Sequence, residues 1–347
     1  MKCLKYTIPI GFCLLLMGLV HWQMTVGFFA VLLFAKLSNP ILGEYTEPEL
    51  RAELKFYYGS KYAYFFKIGC AFFLTIFNVW ALLFVFQHPD NFGQLFLFLA
   101  AIVFVNASYS LPMAHDLEHG KSKLSLLAGN CLLVWICLPF FREDHIQGHH
   151  KLVGTENDRT SARIDQSFYQ FFGKSLKQRI YRCYFQEEFM DLHHRREIQL
   201  FSIFLLAMAA VLFWIKPVLC FFWLMQAGLV YILHELINYI QHYGLQRENG
   251  APIEIHHSWN CFYKYTNYTL FLLPVHSAHH VGKPLHEIKT IMGPKLPLPF
   301  FESAMLALVP KLWFSLMNPL VEEIRKQEIH TRKASGQNKH NNEITIF

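Results

Sequence analysis

Long apolar stretches constrain this chain more than any other feature. Residues 7–35, 62–87, 92–112, 198–215 and 217–241 are runs of Leu, Phe, Ile, Val and Ala broken by few charges. At about 1.5 Å of rise per residue, roughly 20 such residues cross a hydrocarbon core as one helix. The runs do not alternate apolar with polar, so a closed barrel is excluded. With 53% of its 347 residues apolar and a mean hydropathy of +0.24, the chain fits an integral membrane protein, not a soluble domain.

Turn signals divide these runs. His21-Trp22-Gln23 interrupts the first, which favours a helical hairpin over one long span; the segment lacks a small-residue cleavage site and is not read as a removable signal. Residues 38–60 form a polar connection with a short amphipathic helix. His88-Pro89-Asp90-Asn91 joins the next two spans without Lys or Arg and so faces away from the cytoplasm. Ten Lys and Arg between Arg142 and Arg196 mark a cytoplasmic segment along the membrane surface, and Lys216-Pro217 turns the last hairpin. The expected fold is all-α, with about six transmembrane helices and a cytoplasmic histidine-rich catalytic cap. Residues 1–321 form one integral-membrane domain and 322–347 a polar, disordered cytoplasmic tail. Neither an internal repeat nor a second domain is visible.

Eight cysteines lie mostly inside apolar runs with no C-x-x-C spacing, and read as reduced packing residues. The formal net charge of +6 reports basic loops and tail; no aromatic-interleaved basic module points to nucleic acid.

Histidine is the unexpected residue. His115 and His119 lie in HDLEH, His145, His149 and His150 in HIQGHH, His242 in NYIQHYG, and His276, His279 and His280 in HSAHH. Residues three or four apart share a helix face, so each H-x-x-x-H or H-x-x-H pair is able to turn both rings to one metal; neighbours such as His149 and His150 diverge by about 100° and suit two metals. A full span over Leu124–Phe141 would put the flanking histidines in different compartments. An interfacial or re-entrant helix keeps them together. Buried imidazoles in such number need partners, and the ligand type alone leaves Zn, Cu, Fe and Ni open. Nine rings exceed the needs of one four-coordinate ion and suggest two metals. Glu235, Asn238 and His242 share one face of the last long span, where an unpaired carboxylate is costly.

The order H-x3-H, H-x3-HH, H-x2-HH resembles the membrane fatty-acid desaturase and hydroxylase superfamily. NYIQHYGLQR, HSWN and GHHKLVGTENDRTSAR are similar to the corresponding stretches of membrane alkane 1-monooxygenases, and NPILGE echoes an inter-helix loop of that family. The resemblance covers about residues 40–290. It implies a six-span helical funnel whose cap holds two non-haem iron ions on the nine histidines, with no catalytic residue beyond these ligands. It further implies O2-dependent terminal hydroxylation of a medium- or long-chain alkane or alkyl chain to a primary alcohol, in the bacterial inner membrane. Electrons come from rubredoxin and rubredoxin reductase, and membrane lipid surrounds the whole.

Five residues are expected to support the ligands: Glu235, Asn238, Asp144, Asp158 and His257. Asp158 is also expected to pair with Arg163. A basic surface of Arg159, Arg163, Lys174, Lys177, Arg179, Arg195 and Arg196 is expected to steer an acidic carrier. The chain departs from the family pattern at Ala278, Gln241, Asp144 and Glu118, positions that tune ligand orientation. A fatty-acyl desaturase or another oxidative acyl-modifying enzyme on the same scaffold is the nearest alternative. A histidine-rich metal transporter, with ligands near the bilayer midplane, is a third.

Overall fold

The computed structural model describes residues 2–89, 91–185, 192–282 and 284–334. Among the described residues, six helical segments are long and apolar enough to cross a membrane. The first two form the expected hairpin, α1 (Ile8–His21) and α2 (Thr25–Lys36), reversed at Gln23, whose φ of 57° lies in the left-handed region. A short helix, α3 (Glu47–Gly59), starts at a capping box between Thr46 and Glu49. It leads into α4 (Lys61–Gln87), capped by the Ser60 hydroxyl, which accepts from the Tyr62 amide.

The fourth span is longer than the apolar run predicts. Helix α5 (Phe92–Val105) continues through a π-helical segment, Asn106–Ser110, into α6 (Leu111–Glu118). Its last turns therefore carry the first histidine pair. A polar knot fixes the π segment. Asn78 donates to the Asn106 side chain at 3.0 Å, Asn106 to Gln226 at 2.9 Å, and Ser110 to Asn106 at 2.7 Å. Among lipid-embedded helices such bonds face little competition from water, so they hold neighbouring spans in register.

Helix α7 (Lys123–Trp135) has 13 residues, about 20 Å of rise at 1.5 Å each, too short to span. The chain thus returns to the same side, as the histidine distribution requires. Helix α8 (Phe168–Tyr184) is amphipathic and begins at a Ser167–Gln170 capping box. Two long spans follow, α9 (Leu192–Ile215) and α10 (Pro217–His242), the latter opened by proline at its first position. Gly244 closes α10 at φ +72°, where an added Cβ would meet Val321 at 2.7 Å. The spans are apolar outward too: Leu206, Trp214 and Phe221 are exposed, as lipid contact demands.

Helices α11 (Phe300–Ala307) and α12 (Pro310–Ala334) end the described chain. Residues 322–334 are therefore helical and not part of a disordered tail. The cause is a stripe at i, i+4 and i+8, Trp313, Met317 and Val321, which buries against Tyr239 and Tyr243 and carries the polar turns that follow. Residues 335–347 lie outside the described residues.

Candidate metal centre

All nine histidines meet on one side of the bundle. His115, His119, His145, His150 and His279 form one group, and His149, His242, His276 and His280 a second; within each group the ligand atoms lie within 4.8 Å of one another. The groups are neighbours, since the His150 and His280 ring centroids are 4.5 Å apart. His149 and His150 fall in different groups, as adjacent helical residues should. The pairing within clusters is less simple than spacing predicts. His145 and His149 separate, whereas His145 and His150, five apart, share a group. The cause is a π-helical turn over Glu143–His149, whose wider winding brings residues five apart together. His276 pairs with His280, one turn on, and His279 turns to the other group.

The Nε2 atoms point inward. His150 Nε2 lies 3.0 Å from those of both His145 and His279, and His280 Nε2 lies 2.8 Å from His276 and 3.2 Å from His149. A neutral imidazole carries one N–H, so such clusters cannot all be satisfied by hydrogen bonds among themselves; lone pairs directed at a shared cation satisfy them. Burial, reinforced by neighbouring rings, pushes His145, His276, His279 and His280 well below the usual histidine range, His119 to about 4 and His150 to about 2. Burial thus favours the neutral form of these six rings, the form that binds metal. This donor set fits a metal centre of two adjacent imidazole-rich sites.

The supporting residues are placed differently from expectation. Asp158 reaches a ring directly: its carboxylate lies 3.0 Å from His149 Nδ1, which fixes that ring with Nε2 facing inward. Burial would raise the Asp158 carboxyl, but the His149 ring and its hydrogen bond hold it well below the ordinary carboxylate value. Arg163 does not pair with Asp158. It lies 3.2 Å from Glu156 on the surface, because Asp158 turns inward to His149. Asn238 lies 3.3 Å from His234, and His257 accepts the Glu254 amide at its Nδ1. That bond puts the His257 ring proton on Nε2, so the nearby His256–His257–Glu328 group lacks a free lone pair there.

Asp144 and Glu235 belong to a buried charge network. Arg179, fully buried on α8, bonds both carboxylates, and Arg159 bonds Asp144 as well. Ser175 donates to Glu235 at 2.8 Å. Burial would raise the Asp144 carboxyl, yet Arg179 and Arg159 hold it below its ordinary value. The expected steering surface thus loses Arg159 and Arg179. Long-range pairing draws both inward, where desolvation is offset by opposite charges. In exchange the network ties the residue preceding His145 to α8 and α10.

A model of the fatty acid desaturase family matches residues 90–282, more than half of the chain and all nine of these histidines. The chain belongs to the fatty acid desaturase family. It is 32% identical over 237 residues to alkane 1-monooxygenase 1 of Pseudomonas aeruginosa, covering 62% of this chain and 61% of that protein. Alkane 1-monooxygenase 2 of the same organism is 32% identical over 251 residues, covering 67% and 66%. Alkane 1-monooxygenase 2 of Alcanivorax borkumensis is 30% identical, covering 67% and 65%. The matched region therefore spans somewhat less than two thirds of each of these relatives. The family member described here is an integral membrane protein with a histidine metal site.

Replacing Asp158 with Asn keeps the size of the side chain but weakens its hold on the His149 ring. Metal affinity is expected to fall by about 10- to 100-fold, read by competition with a chromophoric chelator. Unchanged affinity would show that the Asp158 contact does not orient the ligand.

Proposed function

We propose that this protein is an alkane 1-monooxygenase-like enzyme that hydroxylates the terminal carbon of a medium- or long-chain alkane or alkyl group. The reaction is RH + O2 + 2e⁻ + 2H⁺ → ROH + H2O, with electrons from rubredoxin and its reductase. The cofactor is two non-haem iron ions on the nine histidines, and the setting is the bacterial inner membrane with the site on its cytoplasmic face.

The observation that carries this reading is an apolar void set directly against both histidine groups. It holds about 40 Å³ and touches His115, His145 and His276 beneath Leu111, Phe141 and Leu273. A single water occupies roughly 30 Å³ in the liquid, so the void accepts the end of a chain and rejects a bulky or branched group. The apolar walls, Leu111, Phe141, Leu233 and Ile237 among them, bind that end through dispersion. The nine histidines would hold the iron, which would supply the redox chemistry needed to activate O2 and oxidise an unactivated C–H bond. The residues of the chain do the rest: Phe141 and Leu111 limit which carbon reaches the rings, Asp158 orients His149, and the Arg179 network braces the segment that carries His145.

Full-length protein reduced by a rubredoxin system should convert a linear alkane to the 1-alcohol with one 18O atom from labelled O2. An alkene without label would instead assign the protein to desaturation.

A further inference from the structure

The five-ring group draws on separate parts of the chain, and two of these are tied to each other by a single side chain. His115 and His119 come from the end of α6, and His145 from the π-helical turn that follows α7. The Nε2 atoms of His119 and His145 lie 3.2 Å apart. Glu118, the residue before His119, is fully buried. Its carboxylate accepts from Arg142 Nη1 at 3.1 Å, and the same nitrogen donates to the Glu118 carbonyl at 2.6 Å. Arg142 stands three residues before His145. One guanidinium therefore links the segment that carries His119 to the segment that carries His145.

The other side of the carboxylate shows that the fold is shaped to admit it. An added Cβ on Gly129, in the middle of α7, would overlap Glu118 Oε1. Glycine is a poor residue for a helix interior, and the close approach of Glu118 is the reason for it here. Oε1 has no hydrogen-bond partner among the described residues, so only this fit and the Arg142 bonds hold the side chain. Glu118, Gly129 and Arg142 form one unit.

A buried ion pair contributes little stability beyond a well-packed apolar replacement, so its value here is placement and charge. The Arg142 cation lies close enough to His119 to act on that ring, and positive charge there opposes a bound metal cation unless a carboxylate offsets it. Asp144 is pinned in turn by Arg179, which fixes the approach to His145 at a second point.

We propose that Glu118 is a positioning residue of the five-ring metal site: with Arg142 it sets the spacing of His119 and His145, and it neutralises the cation beside them. The four-ring group takes no histidine from HDLEH, and Asp158 orients His149 there instead. The effect of Glu118 therefore falls on one site of the two. This rests on the two-site reading above.

The test titrates full-length, metal-depleted protein in nanodiscs with Co2+ against a chromophoric chelator, so that binding is read without turnover. Wild-type protein should take up two ions. Glu118→Gln, which keeps the shape and removes the charge, should weaken one of them about tenfold and leave the other unchanged. Gly129→Ala should give the same pattern, because its methyl displaces the carboxylate, and in a Glu118→Gly background it should have no further effect. Two unchanged ions in Glu118→Gln, equal weakening of both, or additive losses in the double variant would overturn the proposal. A single ion bound by wild-type protein would instead refute the two-site reading, whatever the variants do.

Discussion

Replacing His150 with Ala is expected to abolish hydroxylation, lowering turnover by about a thousandfold or more. His150 bridges the centre. Its Nε2 is 3.0 Å from His145 and His279, and its ring is 4.5 Å from His280 in the other group. Removing it opens the five-ring group and disturbs the wall between the two. The measurement is product formed per chain with a photochemical reductant, which removes carrier docking from the comparison. A variant retaining a tenth of wild-type turnover would show that His150 is dispensable to the reaction.

Arg179→Met has the second large expected effect, and it falls on stability. Arg179 satisfies Asp144 and Glu235 together, so an apolar replacement leaves two buried carboxylates short of their cation. Breaking a buried pair from one side costs about 3–5 kcal/mol. Unfolding in a detergent titration should shift accordingly, and Arg179→Lys should recover part of the loss, because it restores the charge without the fork. If Arg179→Met were as stable as wild type, the network would not brace the segment that carries His145.

The spans, and the histidines that the fold gathers into two groups, were both legible in the chain itself. Apolar length and turn residues located the hairpins, and the parity of crossings required a non-spanning α7. Histidine, costly inside a membrane edge, marked each member of the two groups. What the pattern could not reveal was partnership over distance. Arg179 looks like one cation among several on a basic surface, and its carboxylates are 35 and 56 residues away. Asp158 has Arg163 close by in sequence but reaches His149 instead, a choice fixed by the turn at residues 153–161. The division of His145 from His149 depends on π winding, which no spacing rule predicts. One missed element did leave a signal: Trp313, Met317 and Val321 keep helical period into the polar segment that composition marked as tail.

The account stands on the nine rings forming two neighbouring metal sites. Iron quantified per chain in purified full-length protein tests this most directly. Two irons per wild-type chain is the predicted result; one metal ion per chain, or stoichiometric zinc in protein that consumes no oxygen, would contradict it.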